Sequence, residues 1–416
     1  MKKKSNYFVD LFAGCGGLSL GLENAGFVPA YVNELDPDAM ESYLLNRDDE
    51  FPLLREKYNS HDIQENLTIP KNALDEMTSN FEEDYGIKKG DLGLVVGGPP
   101  CQGYSAIGIR RTFTVEKKDI PSNHLYKDMI KVINSLEPKT FIFENVAGLM
   151  RGRWSPDGKS GEIWKDVQKA FKSLKKYNVH SELVHAKSYG VPQNRPRIIM
   201  VGLRDDFSYE NDKELVASGL LPEPTNDFPQ PFELFDDLID EDYRKTLKTT
   251  EYPFDFTSSI QKNLRTRKDG SVAAKGDRVT DQEYSDHAER IVKKFQYMIQ
   301  NNGKITEEMK TKKFAQRVIP KRWDERGPNI TATSLPDDFV HYVQPRSLTV
   351  REWARLQMFP DWYKFSGKRT TGGRRRAGDP SKNDWKRETP KYTQIGNAVP
   401  VKLAKEIGNH LQSLIN

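Results

Sequence analysis

Tyr7-Phe8-Val9-Asp10-Leu11-Phe12-Ala13-Gly14-Cys15-Gly16-Gly17 is the stretch whose reading decides the fold. A short apolar run ends in a cluster of glycines. An apolar-periodic stretch with Leu18, Leu22 and Ala25 follows, until Gly26 stops it. That order is strand, tight turn, helix. Val28 to Val32 predicts a second strand, and Asp36-Pro37 opens a second helix with proline in its first turn. Leu92 to Val96 predicts a buried strand running into Gly97-Gly98-Pro99-Pro100. Leu125 to Leu136 predicts a helix, and Thr140 to Phe143 and Ile198 to Val201 predict further strands. Short apolar strands spaced by helices predict an α/β fold with a mostly parallel sheet covered on both faces.

The pattern breaks after residue 204. Over 205–329 periodicity is weak, and Pro222, Pro224, Pro229 and Pro231 punctuate the chain. This predicts a smaller, irregular domain set between a first domain, 1–204, and a closing segment, 330–416. In the closing segment Ser347 to Met358 predicts a helix, since Thr349 and Glu352 have the spacing of a capping box and Phe359-Pro360 ends it. Val401 to Ile415 predicts an amphipathic helix. Between them, 366–391 is a basic, glycine-containing insertion.

The chain has 416 residues, 36% hydrophobic and 30% charged, enough for a buried core under a well-charged surface. No apolar run approaches the roughly 20 residues needed to cross a bilayer. No signal-peptide core follows the basic start, so a cytoplasmic protein is expected. Two cysteines, Cys15 and Cys101, exclude a disulfide framework and a thiolate zinc site. The net charge of +4 is mild, but its distribution is uneven. Residues 205–260 hold 15 acids against 4 bases, whereas 261–330 hold 17 bases against 10 acids and 366–391 hold 9 against 3. Two basic blocks on an even background are the footprint of a chain that touches phosphates. Any one such block alone is more often a solvated loop.

The glycine turn lies between a strand and a helix, where main-chain N–H groups meet nucleotides. Ser19 stands at the third glycine position of a dinucleotide fingerprint, so a pyrophosphate is not specified. Glu34, at the end of the second strand, is placed to grip ribose hydroxyls, and Asp62 to follow a third strand and accept from an adenine amine. Cys101 sits in a strand-end loop of glycine and proline, Gly97 to Ser105, which suits a nucleophile better than a buried small hydrophobe. Glu144 ends another buried strand at the same sheet edge. A thiolate beside a carboxylic acid suits conjugate addition to a heterocycle. Arg195 and Arg197 alternate in an extended segment, so both side chains can face one site.

These strings, in order, resemble the motifs of the bacterial DNA cytosine-5 methyltransferase family of restriction-modification type. They are Asp10 to Gly17, Pro100-Cys101-Gln102, Glu144-Asn145-Val146, Gln193-x-Arg195-x-Arg197, Arg346-x-Leu348-Thr349-x-Arg351-Glu352-x-x-Arg355-Leu356-Gln357, and Gln394-Ile395-Gly396-Asn397-Ala398-Val399-Pro400. The resemblance implies a Rossmann-like methyltransferase sheet, a target-recognition domain at 205–329, S-adenosyl-L-methionine as donor and a cytosine flipped out of double-stranded DNA as acceptor. It implies Cys101 as the nucleophile at carbon 6, Glu144 at the ring nitrogen, and Arg195 and Arg197 on the cytosine carbonyl and the thiolate. Asp10, Phe12, Gly14, Gly16, Gly17, Leu18, Glu34, Leu35, Asp62, Ile63, Pro99, Leu125, Asn397 and Ala398 would surround the donor. Pro100, Gln102, Ser105, Ile107, Asn145, Arg374, Arg375 and Arg376 would meet the DNA. A monomer is expected, with a cognate restriction endonuclease as its companion.

The chain departs from the family's usual pattern at Leu35, where an aromatic is frequent, and at Ile107, where a small polar residue often enters the space left in the duplex. Three other readings stand beside this one. A tRNA methyltransferase subfamily shares the motifs but is more compact between them. A non-catalytic DNA-binding protein would not need Cys101, Glu144 and Arg195. A nucleotide-dependent oxidoreductase fits poorly with Ser19 and with the strand-end cysteine.

Overall fold

The computed structural model describes residues 3–100, 120–155, 157–207, 219–225, 227, 229–310, 316–323, 329–330, 339–371 and 388–416. Cys101, Gln102, Ser105, Ile107 and Arg374 to Arg376 lie outside the described residues.

Seven strands make the main sheet: β1 (Tyr7–Leu11), β2 (Val28–Asn33), β3 (Asn59–Ser60), β4 (Leu94–Gly97), β5 (Thr140–Val146), β6 (Tyr177–His185) and β7 (Pro196–Arg204). Their order is β3-β2-β1-β4-β5-β7-β6. The pairs from β3 to β5 are parallel, and β7 runs antiparallel to both β5 and β6. The strand order reverses between β1 and β4, and ligands of open α/β sheets collect at the carboxyl ends beside that switch point.

Alternation along the strands builds two apolar faces. Val9, Leu11, Val95, Phe141, Phe143, Ile198 and Met200 face one core. Helices α2 (Pro37–Leu44), α3 (Pro52–Glu56), α4 (Ala73–Tyr85), α5 (Tyr126–Leu136) and α6 (Glu162–Lys172) cover that face. Phe8, Leu94, Val96, Ile142, Ile199, Val201 and Leu203 face the other, under α1 (Gly17–Asn24) and the last helix. Asp36 caps α2 by accepting from Ala39 N, 2.9 Å, with proline in the first turn.

Beyond β7 the elements are short: α7 (Pro231–Phe235), α8 (Tyr243–Thr246), α9 (Ser259–Arg265), α10 (Glu289–Gln300), and the paired strands β8 (Arg317–Val318) and β9 (Phe339–Val340). Leu234, Phe235, Leu264 and Ile319 share one apolar cluster with Cys15 and Leu20 and with Leu348, Trp353 and Phe359. α11 (Val350–Leu356) is capped reciprocally: Glu352 N donates to Thr349 Oγ1, 3.1 Å, and Thr349 N donates to Glu352 Oε2, 2.9 Å. α12 (Lys391–Asn397) and α13 (Val401–Ile415) then return the chain to the sheet. The described ends of the 366–391 insertion are tied together, since Lys391 N donates to Lys368 O, 2.9 Å.

Candidate active site

Phe12 turns the chain off β1 with φ of 59°, a conformation that costs a bulky residue energy. Ala13 N then donates to Asn33 O of β2, 3.0 Å, which fixes the glycine turn against the sheet edge. The three glycines of the turn do different work. A Cβ on Gly14 would meet nothing within 4 Å, so its main chain faces open space. A Cβ on Gly16 would lie 2.8 Å from the Tyr363 hydroxyl, and one on Gly17 2.4 Å from Val399 O. Those two glycines let other parts of the protein close in from behind.

Glu34 follows β2. Its Oε2 accepts from Gly14 N and its Oε1 from Asp36 N, both 2.8 Å. Burial raises its pKa, against the pull of those two N–H groups. Asn33 donates to Ser60 O, 3.2 Å, and to His61 O, 2.9 Å, and so holds the end of β3 beside Glu34. Asp62 Oδ1 accepts from Gln64 N, 2.7 Å, and Oδ2 has no hydrogen bond among the described residues. Leu35 is 66% exposed and Asn397 is also exposed, while Leu125 is half-buried at the start of α5. An open glycine main chain, two carboxylates, and an exposed aliphatic side chain at one sheet edge can hold an amino-acid nucleoside such as S-adenosylmethionine.

Five of the residues expected around the donor also pack against other parts of the protein. Leu18 and Ile63 point their side chains into the two cores. Asp10 is buried behind the turn, where Ser19 donates to it. Gly16 and Gly17 serve packing, as above. Ser19 at the third glycine position thus has a structural partner.

Glu144 and Asn145 lie inside β5, which runs three residues further than its apolar core predicts. Arg197 Nε sits 2.6 Å from Glu144 Oε1, an ion pair at the end of the sheet. Burial raises the Glu144 pKa, and Arg197 and then Arg195 oppose it. Asn145 Nδ2 donates to Pro99 O, 3.1 Å, and its Oδ1 accepts from Val146 N, 2.9 Å. The amide expected to meet DNA therefore pins the loop after β4. A Cβ on Gly98 would stand 3.0 Å from Glu144 Oε2. The carboxyl thus lies against the main chain three residues before Cys101.

Arg195 has other partners than Arg197. Its Nη1 donates to Ile330 O, 2.7 Å, and its Nη2 to Gly396 O, 2.6 Å, and Ala398 O, 3.1 Å. Gln193 joins it, donating to Leu356 O and Gln357 Oε1, both 2.8 Å. Gln357 in turn donates to Ile395 O, 2.8 Å. Side chains from two motifs and main-chain carbonyls from a third form one buried knot under the site. The sequence signals the residues of this knot but not their mutual contact.

One further cluster supports the glycine turn without a sequence signal. Tyr363 donates to Cys15 O, 2.5 Å, and accepts from Arg47 Nη1, 3.1 Å. Arg47 is also paired with Glu23, 2.6 Å, and lies over the Tyr43 ring at 3.8 Å. Residues 24 and 316 positions away from Arg47 meet there, a distance that no local pattern spans.

Comparison with known proteins gives the family and supports the fold. The type II methyltransferase M.DdeI of Desulfomicrobium norvegicum is 30% identical over 97% of this chain and 88% of its own length. M.XorII of Xanthomonas oryzae pv. oryzae is 29% identical over 98% and 84%. A crystal structure of a prophage-encoded DNA modification methyltransferase from E. coli superposes with a TM-score of 0.65 at 21% identity, covering 99% of each chain, which supports the fold. The model of the C-5 cytosine-specific DNA methylases matches residues 7–413, and with it the chain belongs to that family.

Proposed function

We propose that the ends of β4 and β5 form the centre where a cytosine turned out of the duplex is methylated, with Cys101 as nucleophile and Glu144 and Arg197 as its partners. The enzyme is a DNA cytosine-5 methyltransferase, and S-adenosylmethionine is its methyl donor. The observation that carries the assignment is the Glu144–Arg197 pair, 2.6 Å apart, lying against Gly98 in the loop that leads to Cys101.

Carbon 5 of cytosine is a poor nucleophile unaided. The Cys101 thiolate forms a bond to carbon 6, and the electron pair of the 5,6 double bond moves into the ring. Glu144 holds a proton at the ring nitrogen, where the added charge would otherwise build up, and carbon 5 becomes enamine-like. The raised pKa of Glu144 favours its proton-bearing form for that task. Arg197 orients the carboxyl and offers donors to the cytosine carbonyl. When bound, S-adenosylmethionine supplies an electrophilic methyl carbon. Phe12, the Gly14 main chain, Glu34, Leu35, Asp62, Leu125 and Asn397 hold it at the carboxyl edge. Once carbon 5 carries the methyl group, its proton passes to solvent, the electron pair re-forms the 5,6 double bond, the Cys101 sulfur leaves as thiolate, and the ring-nitrogen proton returns to Glu144.

Residues 205–329 read the DNA sequence, Ile107 fills the space left by the extruded base, and Arg374 to Arg376 contact phosphates. The enzyme acts as a monomer in the cytoplasm, since one flipped base needs one site. It is the modification half of a pair whose endonuclease cuts the same sequence, a reading that the type II relatives support.

The test is a Cys101→Ser variant with a duplex carrying 5-fluorocytosine. Wild-type protein should form a permanent adduct with donor and duplex present, and the variant should bind the duplex but neither trap nor methylate it. Full methylation by the variant would overturn the assignment. Bisulfite sequencing of DNA treated with wild-type protein gives the recognised sequence.

A further inference from the structure

Directly after β5 the chain makes a short turn of helix, Ala147–Arg151, and then a loop to the start of α6. Leu149 is buried in the core beneath, and Gly152 is buried as well, yet Arg151 and Arg153 on either side of Gly152 are exposed. Neither guanidinium has a hydrogen bond or an ion pair among the described residues. Some exposed arginines do find partners, such as Arg55 with Glu41 and Asp48 and Arg267 with Asp277, while others such as Arg278 and Arg290 do not among the described residues, so it is the mount and the place of Arg151 and Arg153 that set them apart.

The loop that presents them is firmly built. Gly161 N donates to Gly152 O, 3.1 Å, closing its neck. One carboxylate fills its interior, with Glu162 accepting from Trp154 N and, at 3.1 Å, from Lys159 N. Trp154 donates from its ring nitrogen to Asp166, 2.7 Å, and stacks on His124 with centroids 5.1 Å apart. His124 directly precedes Leu125 at the donor edge. The acids at the start of α6, Glu162 and Asp166, are turned to main chain and tryptophan rather than to the arginines, and the loop's own acid, Asp157, forms no ion pair with either arginine.

We infer that Arg151 and Arg153 form a phosphate clamp for the target strand of duplex DNA, set beside the pocket that receives the base. They stand on the same strand end as Glu144, seven and nine residues further along. Unpaired guanidiniums on a rigid mount match phosphate oxygens in geometry and in charge. Phosphate contacts fix register without reading sequence, which is what a base-extruding site needs next to its pocket. The inference rests on the end of β5 being the base-receiving edge.

The experiment compares wild type with an Arg151→Ala/Arg153→Ala variant and a milder Gln/Gln variant. Binding to a duplex bearing the recognised sequence is measured over a range of salt concentrations. Each lost phosphate contact should lower the slope of log affinity against log salt by about 1. Donor affinity and melting temperature should not change. Methylphosphonate at the phosphates flanking the target cytosine should weaken wild type and leave the Ala variant unaffected. An unchanged salt slope in both variants overturns the clamp. A lower slope whose phosphates map far from the target cytosine overturns its placement beside the pocket, while Glu144→Gln still tests the base-receiving edge separately through methylation.

Discussion

Glu144 shows what one buried carboxyl contributes here. Burial raises its pKa and Arg197 restrains the rise, so the proton-bearing form persists to higher pH than in an ordinary carboxyl. Replacing it by Gln should lower kcat by roughly 10²–10⁴-fold, the range of a positioned acid, and should remove the alkaline limb of the kcat pH profile. A retained limb, measured by tritiated-methyl transfer, would point to another group. Asp10 makes a stability prediction. Burial pushes its carboxyl up to about 7 from 3.8, although the Ser19 hydroxyl donates to it. The fold then holds a proton that the unfolded chain releases, so stability is full below the unfolded value and falls as pH rises towards the folded one. About three units amount to at most ~4 kcal/mol. Asp10→Asn should abolish that decline in urea unfolding across the same span, and a variant with the wild-type slope would sink the reading. The place of Glu34 at the sheet edge was legible because a charged residue just past an apolar strand has few places to go. The packing partners of Arg195, Gly17 and Leu18 were not, because spacing gives the direction of a side chain but not what fills the space it enters.

α11 shows how much of an element its sequence displays. Thr349 and Glu352 announce its start, and the structure has the reciprocal cap. The buried arginines at and before it are less readable, since Arg355 is shared between a near carboxylate and one 118 residues away. Arg355 pairs with Asp237, 2.6 Å, and Asp361, 2.5 Å, with all three buried. Arg346 pairs with Glu352, 2.6 Å, and against its burial that arginine holds the Glu352 carboxyl down at about 2. Arg355→Met should destabilise the protein by about 3–5 kcal/mol, because Asp361 would stay buried without its main counter-charge. A chemical-denaturation midpoint within error of wild type would refute that. β6 escapes the sequence for the opposite reason: it is the sheet's edge, only Tyr177 and Val184 are buried, and polar residues interrupt both faces of Tyr177–His185. α6 does carry one, with Ile163, Val167 and Phe171 at helical spacing and all buried. It lies between a glycine-rich loop and an edge strand that offer no frame in which to read it.

The whole molecule is closed by its last residues. The motifs after residue 329 do not form a second body but return to the first sheet: Arg195 and Gln193 bind main chain at Ile330, Leu356, Gly396 and Ala398. α13 then lies across α1 at close range, as Gly21 shows, where a Cβ would come within 2.4 Å of Val401 O and Ala404 Cβ. Val401 to Ile415 was legible as an amphipathic helix, but which face of the sheet it covers is a matter of topology that periodicity does not carry. Leu403, Ala404, Ile407, Leu411, Leu414 and Ile415 are buried against Phe8, Leu94, Val96 and Ile142. At roughly 1.5–3 kcal/mol for each large apolar side chain, five of them contribute about 7–15 kcal/mol, as much as the entire stability of an ordinary domain. A chain ending at Pro400 keeps Cys101, Glu144, Glu34 and all of residues 205–329, yet it should fail to form a cooperative fold. Circular-dichroism melts and limited trypsin digestion distinguish the cases. Loss of a sigmoidal melt and rapid cleavage throughout residues 1–204 are expected. A melt within a few degrees of the full chain, with donor binding kept, would mean that the sheet is stable without its last helix.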